Sequence, residues 1–365
     1  MKKERPAFFF QATGIGSVPF LDVEEACSFL LERFPTIPFW PQMVKRDARE
    51  DMSIQFTEGL PLLEIDEQSR SLTISSTGER ESALVTFYEH YLADDLPYFA
   101  ISRNFAPGLY EIIEKVKREA ETFGPFIKGH SVGPVTFAAG VKAGEGRSLF
   151  QEPDLLDAMV KGLSIKALWQ VKELARTGKR PIIFLDEPYL SGFGSAFSPI
   201  QRDQVVKILR EIVGYLKERS DALVGIHCCG NTDWPMILEA EPDIVSFDAY
   251  EYLDYFLLYP EDLSRFLENG GTIAWGIVPT FSFTGTETVD TLLSILREGL
   301  DRLHRWGLDP ELTAAASLLT PACGMGTMDP ASAMRALELL EGVTDNCGAL
   351  IPAGVARLES LDGNQ

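Results

Sequence analysis

His227, Cys228 and Cys229 follow one another in Gly225-Ile226-His227-Cys228-Cys229-Gly230-Asn231. In an extended chain, side chains two apart share a face. His227 and Cys229 can therefore address one ion while Cys228 turns away. An imidazole nitrogen beside thiolates suits zinc, with Zn–N about 2.0–2.1 Å and Zn–S about 2.3 Å. A third soft ligand is needed, and Cys323, in Pro321-Ala322-Cys323-Gly324, is the candidate. Asp248 closes the apolar run Ile244-Val245-Ser246-Phe247. It either completes the set as a fourth ligand or hydrogen-bonds a ligand from outside. Glu251 is its rival, and either residue also suits the cap of a following helix. The plain alternative is that Cys228, Cys229 and Cys323 are small buried hydrophobes. Cys27 and Cys347 fall in helical or peripheral stretches and read as structural.

Carboxylates form the second group. Asp186-Glu187-Pro188 follows an apolar run. Carboxylates placed there can bind an amine or move protons, or can cap a helix or pair with an arginine. Glu64 and Asp66 have the same two readings. His130 is either catalytic or a satisfied structural histidine. Ser17 lies in Thr13-Gly14-Ile15-Gly16-Ser17, where glycines allow backbone to approach a small substrate. Neither that segment nor Gly324-Met325-Gly326 completes a nucleotide-binding loop. Gly192-Phe193-Gly194-Ser195 reads as a loop. His90 and His304 sit on helix-like stretches and read as packing or surface residues.

The elements that must hold these residues alternate between apolar runs and helical patterns. Residues 8–12, 59–66, 125–131, 181–186, 222–228, 243–248, 271–278 and 313–320 read as strands, with 70–75 as an extra hairpin strand. Helices are expected near 23–34, 80–93, 108–122, 155–177, 200–219, 234–239, 261–268, 288–306 and 330–340. Continuous apolar strands are buried on both faces, as in a parallel sheet. Eight such units predict an α/β fold, a (β/α)8 TIM barrel, with an insertion in the N-terminal third at 35–125. The whole chain, 1–365, reads as one barrel domain. In such a barrel the site forms at the C-terminal strand ends. Ser17, Glu64, His130, Asp186, His227, Asp248 and Cys323 all collect there.

Composition narrows the function. With 33 Lys+Arg and 54 Asp+Glu the net charge is −21. Such a surface repels phosphate backbones and anionic lipid, so neither nucleic acid nor a membrane is an expected partner. No run reaches the roughly 18 apolar residues of a membrane span. The opening Met1-Lys2-Lys3 and the short apolar run after it do not make a signal peptide. Five cysteines in 365 residues are no disulfide scaffold. The chain is expected in the cytoplasm.

Taken in order, Gly14-Ile15-Gly16-Ser17, Gly133-Pro134-Val135-Thr136, Asp186-Glu187-Pro188, His227-x-Cys229 and Pro321-x-Cys323-Gly324 span most of the chain. The series resembles the catalytic barrel of cobalamin-independent methionine synthase. It is also similar to the related corrinoid:thiol methyltransferases, which share the His-x-Cys pattern. The resemblance implies Zn2+ held by His227, Cys229 and Cys323, with Asp248 where the family has a glutamate ligand. It implies a small thiol substrate, homocysteine foremost, methylated to methionine. It implies Ser17 and Asp186 near the amino-acid part of that acceptor.

Two departures bear on the methyl donor. The extra N-terminal half of these synthases, which helps bind folate, has no room here. The segment Gly276-Ile277-Val278-Pro279-Thr280 lacks the family's proton-donating histidine. Both favour methylcobalamin or a methylated corrinoid protein over methyltetrahydrofolate. Coenzyme M is an alternative thiol. A metal-free decarboxylase like uroporphyrinogen decarboxylase is the alternative within the superfamily, and the His-Cys-Cys set argues against it. A barrel that stores or delivers zinc without turnover is the non-enzymatic alternative.

Overall fold

The computed structural model describes residues 6–76, 79–143, 147–193 and 200–351. The N-terminal part runs through β1 (Gln11–Ala12), α1 (Val23–Arg33), β2 (Leu63–Asp66), β3 (Ser71–Ile74), α2 (Arg80–Leu92) and α3 (Pro107–Arg118). Next come β4 (Phe126–Val132), α4 (Pro134–Gly140), β5 (Val141–Ala143), β6 (Arg147–Ser148), α5 (Pro153–Ala175), β7 (Arg180–Asp186) and α6 (Arg202–Arg219). The last part holds β8 (Leu223–Cys228), α7 (Trp234–Glu239), β9 (Ile244–Asp248), α8 (Ala249–Phe256), α9 (Pro260–Glu268) and β10 (Thr272–Val278). It ends with α10 (Val289–Arg305), α11 (Pro310–Ala315), β11 (Ser317–Pro321) and α12 (Pro330–Asn346).

Seven strands pair in parallel in the order β1-β11-β10-β9-β8-β7-β4. The gap between β4 and β1 is filled by the extended segment 38–42. Phe39 bridges Lys128 of β4, and Gln42 bridges Ser17 just beyond β1, both in parallel. The amide of Lys128 donates to Pro38 O at 2.7 Å, and that of Gln42 to Gly16 O at 3.0 Å. The ring of eight staves is closed, with 38–42 in the place expected for 59–66.

Three strand assignments need correction: the first strand, expected over 8–12, is only Gln11–Ala12, because Phe9 and Phe10 before it take positive φ. Residues 59–66 are not a barrel strand. Leu63–Asp66 pairs antiparallel with Ser71–Ile74, in a small sheet of order β2-β3-β5-β6. The eighth barrel strand starts later than expected, because Thr313 to Ala315 belong to α11, which opens on Pro310 with Asp309 as its cap. Gly194 and Ser195 of the expected loop, and residues 1–5, lie outside the described residues.

The period of two decides what fills the lumen. Phe126, Ile182, Phe184, Leu223, Ile244, Ala274 and Leu318 form a cluster of their own, distinct from the larger core under the helices. Continuing along the same faces leads to Lys128 and His130 on β4, Asp186 on β7, His227 on β8, and Ser246 and Asp248 on β9. The lumen is thus apolar below and polar at the C-terminal rim. Outside it, seven helices open with proline in the first turn, where the missing N–H costs nothing. The buried Lys166 of α5 donates to Glu58 O at 2.6 Å and Phe99 O at 2.9 Å, tying the N-terminal insertion to the barrel.

Candidate metal centre

Strand register brings the rim residues together. Asp186 lies opposite His227 across β7 and β8, and His227 opposite Ser246 across β8 and β9. The Nδ1 of His227 is 2.9 Å from Ser246 Oγ. That contact orients the ring. Its Nε2 is buried and has no hydrogen-bond partner. The ligand atoms of His227, Cys229 and Cys323 all lie within 4.8 Å of one another. Hence β8 and the loop after β11, almost a hundred residues apart, deliver their donors to one point.

The two thiols influence each other's protonation. The neighbouring Cys323 thiol, and then His227, pull Cys229 below the ordinary thiol range, against the opposing effect of burial. Cys229, with burial, pushes Cys323 well above the ordinary thiol range. Cys228 points away and is fully buried, its thiol 3.5 Å from Gly230 O. Burial raises its pKa, so it stays a thiol.

The loop carrying Cys323 is clamped on both sides. Ala322 N donates to Val278 O at 2.8 Å, and Met325 N donates to Ser17 O at 2.9 Å. Gly326 N donates to Ser17 Oγ at 3.2 Å. A Cβ at Gly324 would stand 2.1 Å from Ser17 Oγ, so glycine is required for this approach. Ser17 therefore borders the cysteine cluster.

The carboxylates divide by environment. Asp186 is buried, and its Oδ1 has no partner. Burial raises its pKa to about 6, opposed by His227 and Lys128. Asp248 caps α8: its Oδ1 accepts from Glu251 N at 2.9 Å. Burial raises its pKa to about 6 as well. Asp248 is not among the residues whose donor atoms gather at the cluster. Glu251 accepts from Ser282 Oγ.

Glu187 is fully buried and fully used. Its Oε1 accepts from Val135 N at 2.9 Å, and its Oε2 from both Thr136 N and Thr136 Oγ1 at 2.7 Å. It satisfies the first turn of α4 and has little left to offer a substrate. Glu64 is exposed on β2 and accepts from Ser75 Oγ at 2.6 Å. Exposed Asp66 accepts from Gln68 N, Ser69 N and Ser69 Oγ. Neither ends a barrel strand, which corrects the placement expected for them.

His130 is buried between Trp40, whose ring stacks on it at 3.9 Å, and the backbone at Gly16. A Cβ at Gly16 would lie 2.6 Å from its Nδ1. Both ring nitrogens lack partners. Burial, and secondly Lys128, hold the imidazole neutral. The other histidines pack locally, His90 on Asp95 and Tyr98, His304 on Thr313.

Two participants escaped the sequence reading. Ser246 is a polar residue at an inward position of an apolar strand, and Lys128 is a cation in the middle of Phe126–Val132. A charged or hydroxyl group on the buried face of a strand is the signal for both.

The chemistry of the donor set fits a metal. One imidazole nitrogen and two sulfurs match zinc with an open position. The partnerless buried Nε2 of His227 would gain the bond it lacks. The serine on Nδ1 does what outer hydrogen bonds do for metal-bound histidines.

No family model matches the chain. No curated protein matches it either. Among solved structures, a B12-independent methionine synthase from Shewanella sp. W3-18-1 in complex with selenomethionine is 20% identical, with 68% of this chain and 67% of that chain aligned at a TM-score of 0.45. A 3-keto-D-glucoside 4-epimerase from E. coli, in its apo form, is 13% identical over 73% of this chain and 97% of that chain, at a TM-score of 0.35. Likenesses this distant say nothing of substrate, and function is read from the side chains.

Proposed function

We propose that this chain is a zinc-dependent methyltransferase that methylates a small thiol, with homocysteine the first acceptor to test and methionine the product. The observation that carries this reading is the convergence of His227, Cys229 and Cys323 at the C-terminal rim of the barrel. When bound there, zinc supplies the positive charge that keeps an acceptor thiol deprotonated near neutral pH. The remaining work falls to the protein. His227 is oriented by Ser246 through Nδ1, so its free nitrogen faces one way only. Asp186, with an unpartnered oxygen, accepts a proton donor such as the acceptor's ammonium group. Ser17 fixes the loop that carries Cys323 and limits how far it can move. His130, buried and neutral, closes the wall behind Gly16.

For the donor we favour a methylated corrinoid. The segment after β10, Pro279-Thr280-Phe281, offers no histidine to protonate a folate leaving group. Transfer from a corrinoid needs no such proton: sulfur forms the S–CH3 bond and the corrinoid leaves as cobalt(I). The test offers zinc-loaded protein homocysteine, then coenzyme M, with methylcobalamin in one arm and methyltetrahydrofolate in the other. Mass spectrometry should find methionine in the corrinoid arm, and none with Cys229→Ala. Absence of any methylated thiol from either donor would overturn the reading.

A further inference from the structure

We propose that Lys128 is a positioning residue that sets the Cys323 loop from inside the barrel, a role that rests on the metal reading of that loop. Lys128 is fully buried in the lumen, and its ammonium lies 4.3 Å from the centre of the Phe184 ring. Its Nζ donates to Ile15 O at 2.6 Å. Ile15 belongs to the turn after β1, and that turn holds the cysteine loop. Two residues on, Ser17 O accepts from Met325 N and Ser17 Oγ accepts from Gly326 N. Gly16 and Val18 are in turn bonded to Gln42 of the closing stave. A continuous path of hydrogen bonds and backbone thus leads from the lysine to the residues just beyond Cys323.

A lysine placed among Phe184, Ile182 and Phe126 is costly unless its charge is used. Here the ammonium meets a backbone carbonyl and an aromatic face, and its charge also acts on Asp186 and His130 across the lumen. Its own direct contacts lie below the cysteines, so it acts on them through Ile15 and Ser17. Without it, Ile15 O is left buried and unpaired, and residues 14–17 lose their lower anchor. The Cys323 loop then rests on a turn held only from the side of Gln42.

The experiment uses full-length, metal-free, reduced protein and a limiting amount of iodoacetamide, read cysteine by cysteine by peptide mass spectrometry. In Lys128→Met the alkylation rate of Cys323 should rise about tenfold, the scale of losing one hydrogen bond from a charged donor. The rates of Cys27 and Cys347, buried far along the chain, should not change. Ser17→Ala should raise Cys323 reactivity too, and the double variant should add little, because both act along one path. A Cys323 rate within twofold of the unsubstituted protein would overturn the proposal. So would exposure of Cys27 and Cys347 together with Cys323, since Lys128 would then serve the whole fold. Zinc titration of the same samples keeps the two readings apart. If the unsubstituted protein takes up no zinc, the metal reading falls, while the alkylation ratios still decide what Lys128 does.

Discussion

His227 and Cys229 stand two apart on one strand, and the period of two aims both at the same point. That much could be read from three letters of sequence. Cys323 could be added only through the topology, because the loop after β11 meets β8 solely across the barrel mouth. Removing either sulfur should remove the metal and leave the fold. Cys229→Ala and Cys323→Ala are each expected to hold less than a tenth of the zinc of the unsubstituted protein by elemental mass spectrometry, with unchanged circular dichroism. Asp248 is a different case. Its Oδ1 is committed to Glu251 N as the cap of α8. Asp248→Ala should cost about 1 kcal/mol in urea unfolding, and Asp248→Asn should recover most of that with zinc stoichiometry intact. Loss of zinc in the Asn variant would instead make Asp248 a ligand. Ser246 and Lys128 carry only the weaker signal of one polar residue on the buried face of an apolar strand, with no spacing to match.

At the scale of elements, the buried strands β7, β8, β9 and β10 were the clearest, since apolar runs of strand length ending in Asp, Cys or Val have few other readings. The helix expected near 234–239 is Trp234–Glu239, opened by the Asp233 cap and a proline in its first turn. The stave at 38–42 was not legible: Pro38-Phe39-Trp40-Pro41-Gln42 is short and carries two prolines, and makes single bridges rather than a ladder. The alternating Leu63-Glu64-Ile65-Asp66 then took its place in the sequence reading, although it belongs to a hairpin. Glu187 shows how an element fixes a residue's role. It braces the start of α4, and burial outweighs the three bonds it accepts, raising its pKa to about 7. A carboxyl raised on folding stabilises fully below its unfolded value, and that contribution is lost as pH climbs through its folded one. Stability should therefore fall between about pH 4.5 and 8, by up to about 3 kcal/mol from this group. Asp186 and Asp248 act with the same sign. Urea titrations across that range should show a shallower slope in Glu187→Gln, and an unchanged slope would assign the pH dependence elsewhere.

The molecule as a whole places one polar rim on an apolar barrel. The acidic surface, at a net charge of −21, favours small or neutral ligands over polyanions. Among the described residues no helix is long and apolar enough to cross a membrane. The count of apolar strands pointed to a barrel but did not show its closure: one counted strand, 59–66, lies in another sheet, and the stave at 38–42 depends on two isolated bridges and no pattern. The barrel's function depends on whether the His227, Cys229 and Cys323 cluster holds zinc that can take a thiol. The deciding measurement is the metal content of purified, reduced, zinc-supplied protein by elemental mass spectrometry, followed by X-ray absorption at the zinc edge with and without homocysteine. The expected result is about one zinc per chain, with more sulfur around the metal once the thiol is added. A protein that takes up no zinc, or zinc whose surroundings ignore the thiol, would contradict thiol activation at this site.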